Sequence, residues 1–262
     1  MELFLDTALE SKTEYFKQIT PNYGIYEINE DVELLFPLIK AQIKREHKNS
    51  FIYSRVDSEG NNIEKIIPSD QDKITIEIAP IRPLNYPARR TNFIYLDFDK
   101  EVFLSEGAST SFLVRCPIEI GIFLVHDSHK DSMDSFTCDP SRSRFGLYGS
   151  PDTGILCKYF KVPIVQSELD SEPFHSCVVR LSFENQLERG YAIKKVVFPI
   201  TDHSIYYEKQ KSQLDSLQVK LRKRGVVEFA EAFEVPLTEI TWTKSPSWEA
   251  DTHTPSMEMG LE

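Results

Sequence analysis

The sequence predicts an all-β protein, an antiparallel β-sandwich of about ten or more strands, from three observations. First, short runs between residues 22 and 235 alternate apolar with polar side chains, which is the period of a strand with one buried face. Second, glycine, proline, asparagine and aspartate separate these runs, as they do at turns between strands. Third, 40% of the residues are hydrophobic and 11% are aromatic, which supplies a substantial core and excludes global disorder.

The N-terminal segment, residues 1–20, departs from this pattern and predicts a short amphipathic helix. Thr7 and Glu10 have the spacing of a capping box, which satisfies free backbone amides at the start of a helix. The apolar residues that recur at helical spacing are Leu5, Leu9, Phe16 and Ile19. We therefore expect a helical extension at 1–20 ahead of a β-sandwich core at 21–242. A single domain is favoured for this core, with two sandwich units as the alternative.

The first strands of the core are marked by a hairpin and an alternating run. The segments FIYSRV (51–56) and IEKIIP (63–68) flank the turn sequence DSEGNN and predict a β-hairpin. The next run, KITIEIAP (73–80), alternates isoleucine with other residues and predicts a half-buried strand.

The middle of the chain predicts two longer extended runs. TNFIYLDFDKEVFL (91–104) predicts one strand, and TSFLVRCPIEIGIFLV (110–125) is interrupted by Pro117. Because proline cannot donate to a sheet ladder, the second run is either two strands or one strand with a bulge or an exposed edge. The residues expected on the buried face of the first run are Ile94, Leu96 and Phe98.

The last part of the core contains several more strands and one ambiguous segment. In residues 213–233 the leucines suit a helix face or a strand face equally, but Gly225 after RKR is a natural turn, so a β-hairpin is preferred. Residues 243–262 are polar, acidic and without period, and predict a disordered tail. The other predicted strands are 154–165, 176–183, 191–200 and 204–207.

The charge balance argues against nucleic acid as a partner. Thirty basic against 41 acidic residues give a net charge of -11, a field that repels phosphate backbones. The acidic residues after Met1 do not fit a signal peptide, and the apolar run IGIFLV is far shorter than a membrane helix. We therefore expect a cytoplasmic protein that is not embedded in a membrane.

The four cysteines do not form a metal-binding or redox motif. Cys116, Cys138, Cys157 and Cys177 lie about twenty residues apart, without a CxxC pair. In a reducing compartment such cysteines are typically buried thiols.

Several segments together resemble a known family. They are PIRPLNYP (80–87), TNFIYLDFDKEVFL (91–104), CPIEIGIFL (116–124), RFGLYGSPDTGILCKY (144–159) and KVVFPITDHSIYY (195–207). The chain resembles, over residues 22–235, the archaeal family of uncharacterised proteins named domain of unknown function 432. The resemblance implies an archaeal, cytoplasmic, β-rich protein without an assigned activity or catalytic residues. It also implies a membrane channel as a partner, because some members are associated with genes for small-conductance mechanosensitive channels.

A candidate metal site follows the apolar run that ends near residue 125. His126, His129, Asp131 and Asp134 supply nitrogen and oxygen donors that suit a divalent metal such as zinc or iron. The segment 126–134 is also rich in Asp and Ser, which is typical of a solvated loop between strands. Both interpretations stay open, and no other cofactor is predicted.

A second acidic group lies in the strand predicted at 91–104. Asp97, Asp99 and Glu101 alternate along it, so all three carboxylates point to one side of an ideal strand. Such a row suits calcium or magnesium, or a carboxylic acid with a raised pKa. More often it is the solvated face of a strand, where it also discourages edge-to-edge aggregation.

Motifs of common enzymes are missing from the sequence. GSPDTGIL (149–156) has two glycines at phosphate-loop spacing but lacks the lysine and the hydroxyl that bind the phosphates and magnesium, so it predicts a β-turn. The favoured function is a non-catalytic interaction or regulatory module that binds a protein partner or a second copy of itself through its β-edges. The alternative is a ligand- or metal-binding sandwich that uses the loop 126–134.

Overall fold

A computed structural model describes residues 16–47, 49–57, 60–127, 129–167, 170–238 and 241–248. The described residues form 21 β-strands and include a 3-10 turn at Pro140–Arg142. The predicted all-β fold is confirmed, because no α-helix occurs in these ranges. None of the described helical segments is long and apolar enough to cross a membrane.

The chain divides into two compact units. The first unit takes in Ile28–Ile74 and the described residues up to Pro21, and the second takes in Asn22–Glu27 and the described residues from Thr75 onward. Both are built from the alternating runs that the sequence shows.

The first unit contains one five-stranded sheet in the order β1-β3-β4-β5-β6. The hairpin predicted at 51–68 is confirmed, with Asp57 and Asn61 hydrogen-bonded across its turn (3.2 Å). Alternate residues of its strands are buried and solvent-facing, as the two-residue period requires. Its strands are β1 (Lys17–Ile19), β3 (Val32–Phe36), β4 (Ile39–His47), β5 (Ser50–Val56) and β6 (Asn62–Pro68).

The second unit contains three sheets, ordered β11-β10-β7-β2, β12-β13-β8-β16 and β14-β9-β15-β18-β17-β21, with β19 and β20 attached to the last through β15. Its strands are β2 (Gly24–Ile28), β7 (Ile74–Ile81), β8 (Phe93–Leu104), β9 (Ser109–Pro117), β10 (Glu119–His126), β11 (His129–Phe136), β12 (Arg144–Tyr148), β13 (Ile155–Val162), β14 (Ile164–Val165), β15 (Ser176–Asn185), β16 (Tyr191–Pro199), β17 (Ile205–Glu208), β18 (Lys211–Leu214), β19 (Ser216–Arg224), β20 (Val227–Val235) and β21 (Thr243–Lys244).

Three local predictions for this unit are confirmed. Pro117 ends β9 and β10 begins two residues later, so the interrupted run is two strands. β8 is a single strand that buries the three predicted apolar residues. The ambiguous segment forms the hairpin β19–β20, with Gly225 in the left-handed region (φ 64°) at its turn.

The predicted antiparallel pairing is wrong for four strand pairs. β1 pairs with β3 in parallel, β13 with β8, and β15 with both β18 and β19. After β15 the chain passes through β16, in a different sheet, before it returns to pair with β15 from the other side. Such a crossover permits parallel pairing. The sequence could not show this, because the alternation of side chains is the same for parallel and antiparallel strands.

The helix predicted for residues 1–20 is wrong for residues 16–20, which are the part of this segment that the structure describes. Residues 1–15 lie outside the described part, and β1 occupies Lys17–Ile19. Ile19 pairs opposite Leu34, because the free edge of β3 supplies backbone hydrogen bonds that a short helix end lacks.

The predicted disordered tail begins too early. Residues 249–262 lie outside the described part, but β21 pairs with β17, and Trp248 packs against Phe123 with ring centroids 5.7 Å apart. Backbone pairing and one large aromatic anchor are enough to order this polar segment.

Candidate functional site

The predicted metal residues lie on the hairpin β10–β11. His126 and His129 are paired across its turn, and the Nε2 of His129 is 2.9 Å from the Oδ1 of Asp131, with these three residues exposed. Asp134 is buried on the far side of a register shift in β11. No group of three or more His, Cys, Asp or Glu residues that could hold a metal ion is found in the described part of the chain. Metal binding by this hairpin stays a prediction.

The acidic row on β8 is divided among separate partners. Tyr159 donates its hydroxyl to Asp97 (2.6 Å), and the backbone amide of Ile164 donates to Asp99 (3.0 Å). Glu101 is exposed. Two of the three carboxylates therefore have structural hydrogen bonds, and a shared ion at this row stays a prediction.

A buried carboxylate that the sequence analysis missed lies at the start of β10. Glu119 is only 2% exposed and accepts hydrogen bonds from the amide of Tyr86 (2.9 Å) and from both the amide (3.0 Å) and the side chain (2.9 Å) of Asn85. Lys158, fully buried on β13, donates to the carbonyl of Tyr86. The Tyr86 backbone thus connects the carboxylate to the ammonium group, and the resulting Glu119 centre joins three of the segments that carry the family resemblance.

Burial sets the protonation of the Glu119 centre. Loss of solvation raises the pKa of Glu119 to about 7, against the opposing effect of its hydrogen bonds and of Lys158. Loss of solvation also lowers the pKa of Lys158, which the nearby Glu119 charge partly offsets. The Glu119 centre has little room for a ligand in the space beside Glu119, which measures about 10 Å³. It is therefore a structural junction rather than a ligand site.

The raised pKa of Glu119 predicts a definite pH dependence of stability. Between about pH 4.5 and pH 7 the folded protein holds a proton on Glu119 that the unfolded chain has lost, so the free energy of unfolding falls as the pH rises. We expect a loss of about 3 kcal/mol across this window in the native protein. In Glu119→Gln this part of the loss should be missing. Urea unfolding at a series of pH values measures the difference, and parallel profiles for the two proteins would contradict it.

A second buried carboxylate lies in the same sheet. Glu77 on β7 is fully buried, accepts the hydroxyl of Tyr207 (2.7 Å) and is ion-paired with Lys130 on β11. Burial and the neighbouring Glu77 raise the pKa of Tyr207, so its hydroxyl stays a donor. These contacts make Glu77 a link between two sheets of the unit.

A polar cavity that combines ionisable groups surrounds His203 in the second unit. It measures about 180 Å³ and lies between the end of β7, the turn after β16 and the segment Lys244–Trp248, which we call the strap. His203 is only 5% exposed, and neither of its ring nitrogens has a hydrogen-bond partner among the described residues. Arg82 and Lys244 also line the cavity.

The strand β20 presents an unusual surface. It pairs with β19 on one side, and no described strand pairs with its other edge. A nine-residue edge with several large apolar side chains in solvent is a surface that proteins normally cover. The exposed apolar residues at its turn and along it are Val226, Val227, Phe229, Phe233 and Val235.

The chain was compared with known proteins. A family model described as a protein of unknown function (DUF432) matches residues 22–239, well over half of the chain. No curated protein and no solved structure matches it.

Proposed function

Because this chain belongs to the DUF432 family of proteins of unknown function, which brings no activity with it, we propose from geometry that it is a non-catalytic interaction module. Strand β20 binds an extended segment of a partner protein, which adds to the sheet as a further strand. The observation that supports this is the combination of a free edge with exposed aromatic side chains in the described structure.

The apolar residues of β20 provide one face of the docking surface. Val227, Phe229, Phe233 and Val235 alternate along the strand and therefore share a side, and each is at least 40% exposed. An incoming strand would cover these side chains while its backbone pairs with the free edge. Backbone hydrogen bonds then supply affinity, and the alternate side chains supply specificity.

The sequence of β20 argues against a second copy as the occupant. VEFAEAFEV reads the same in both directions, so a two-fold antiparallel pairing would set Glu228 against Glu234 and Glu231 against itself. Like charges directly opposite each other destabilise a sheet. Identical strands therefore repel at three positions, although their apolar residues match.

Charge complementarity instead favours a partner strand that alternates apolar with basic residues. The three glutamates of β20 have no basic neighbour on that strand, and the whole chain has a net charge of -11. Arg189 and Arg222 already pair with Glu228 and Glu231. Exposed pairs of this kind contribute roughly 0–1 kcal/mol, so the carboxylates can be shared with incoming lysines.

The family resemblance indicates where such a strand would come from. A cytoplasmic segment of a membrane channel fits the partner class that it implies, and a regulatory role would follow from binding there. We also propose that the sheets pack as a β-sandwich, as the sequence predicts.

A synthetic peptide tests the proposal directly. The peptide VKFTKTFKV places lysine opposite each glutamate of β20 and phenylalanine opposite each phenylalanine, so we expect saturable binding in a fluorescence anisotropy titration. Glu228→Lys should weaken this binding about fivefold, because a like-charge pair replaces an attractive one. Binding should also weaken with added salt.

Two matched controls accompany this experiment. Glu64→Lys makes the same charge change at an exposed position of β6 and should leave the affinity unchanged. The peptide VEFAEAFEV, the strand's own sequence, should not bind. If it binds as well as the basic peptide, the occupant is a second copy, and if neither peptide binds, the edge is not a docking surface; either result overturns the proposal.

A further inference from the structure

We propose that the cavity around His203 binds a small organic anion with a carboxylate or phosphate group. The anionic group faces Arg82 and Lys244, and a hydroxyl or similar group of the ligand faces His203. The residues that line this cavity lie outside β20, so the proposal does not rest on the docking of a partner strand.

The size of the cavity suits a small ligand. Its volume of about 180 Å³ corresponds to roughly six water molecules at liquid density, or to a compact ligand of similar volume. Its wall is mostly polar. A polar cavity of this size beside charged residues is unlike the dry, apolar voids that packing leaves behind.

His203 carries the central argument for a ligand. Its ring packs against Phe198 with centroids 4.9 Å apart and the residue borders the cavity, while both ring nitrogens are buried without a hydrogen-bond partner among the described residues. The Pro199 carbonyl is near enough to favour a protonated ring electrostatically, but its geometry is not that of a hydrogen bond. A buried polar group without a partner costs roughly 1–3 kcal/mol, so native proteins seldom leave one unsatisfied.

Burial also determines which hydrogen bonds His203 can make with a ligand. Loss of solvation lowers the pKa of His203, while Asp215 and Asp202 oppose this effect. A neutral imidazole presents one donor and one acceptor. It therefore suits a hydroxyl group, which both donates and accepts.

The charges of the cavity select an anion. Two cationic side chains, Arg82 and Lys244, line it against one carboxylate, Asp202. Arg82 is held in place because it donates to the carbonyl of Thr201. The lining therefore has more positive than negative side chains, which attracts anions, while Asp215 and Glu234 oppose this effect from outside the lining.

The strap brings Lys244 to the cavity. Ser245 donates its hydroxyl to the carbonyl of Pro80 (2.6 Å) and its amide to the carbonyl of Ile205 (2.8 Å). The ring contact of Trp248 with Phe123 anchors the far end. The family match ends at residue 239, so this wall of the cavity is an addition to the part that the family model describes.

Isothermal titration calorimetry of the full chain tests the site with three probes: inorganic phosphate, malate and glycerol. We expect saturable binding of at least one of the two anions, phosphate or malate. Glycerol, which is uncharged, should not bind. Lys244→Met should weaken binding at least about tenfold, because a charge-assisted contact is lost. His203→Phe should weaken it further.

Lys194→Met is the matched control, since Lys194 is exposed on β16 and does not line the cavity. It should leave the affinity unchanged. Lys244 is exposed, so its replacement tests the site even if His203→Phe fails to fold. Failure of both anions to bind, or binding that survives Lys244→Met unchanged, would overturn the inference, and water alone would then fill the cavity.

Discussion

Replacement of Glu119 by alanine is expected to lower the free energy of unfolding by about 3–5 kcal/mol at pH 8. At this pH the carboxylate is ionised, and its removal leaves the amide of Tyr86 and both donors of Asn85 without their acceptor. It also leaves the ammonium group of Lys158 buried without a nearby negative charge. Denaturant unfolding followed by tryptophan fluorescence measures the change, because both tryptophans lie in the second unit.

The double variant Glu119→Ala with Lys158→Met separates charge from packing. If the two groups act as a unit, the double variant loses at least about 1 kcal/mol less than the sum of the single variants. Glu106→Ala, at an exposed turn, should change stability by less than about 0.5 kcal/mol. A loss below about 1 kcal/mol for Glu119→Ala would show that the Glu119 centre is not the junction that its hydrogen bonds describe.

Replacement of Glu77 by alanine is expected to cost about 2–4 kcal/mol. The change removes the acceptor of the buried Tyr207 hydroxyl and the ion-pair partner of Lys130. Tyr207→Phe should cost less, roughly 1 kcal/mol, because Lys130 still compensates the Glu77 charge. The same unfolding experiment measures both variants.

Two further variants test whether the loss comes from the buried contacts of Glu77. Glu77→Gln keeps an acceptor for Tyr207 and removes only the charge, so its loss should lie between those of Tyr207→Phe and Glu77→Ala. Glu64→Ala, at an exposed position of β6, is the surface control. Equal stability of Glu77→Ala and Glu64→Ala would contradict the structural role of Glu77.

The sequence predicted the strands well where a side-chain period or a backbone restriction acts locally. The alternation in β8 required only that Ile94, Leu96 and Phe98 share a face. Pro117 ended a strand because it lacks an amide proton, and Gly225 formed a turn because it tolerates a positive φ.

The sequence could not show which side chains the fold brings together, because that depends on which strands become neighbours. The predicted metal ligands His126, His129 and Asp131 lie together on one hairpin and are exposed, but Asp134 is buried beyond a register shift. The groups that the fold does bring together are far apart in sequence and form no recognisable motif. A faint signal existed in Glu119, the one charged residue in the otherwise apolar run PIEIGIFLV, whereas Lys158 shares its strand with Lys161 and gave no such signal.

By itself the sequence determined that this is an all-β chain, where most of its strands lie, and that the chain is acidic. These properties arise from neighbours in the chain, whose sterics and side-chain period act at short range. Only the tertiary structure decided strand direction, the strand at Lys17–Ile19, the burial of Glu119 and Glu77, and the cavity at His203. Each of these depends on pairing between segments far apart in sequence, and the loss of water at such contacts is what changes the chemistry of a side chain.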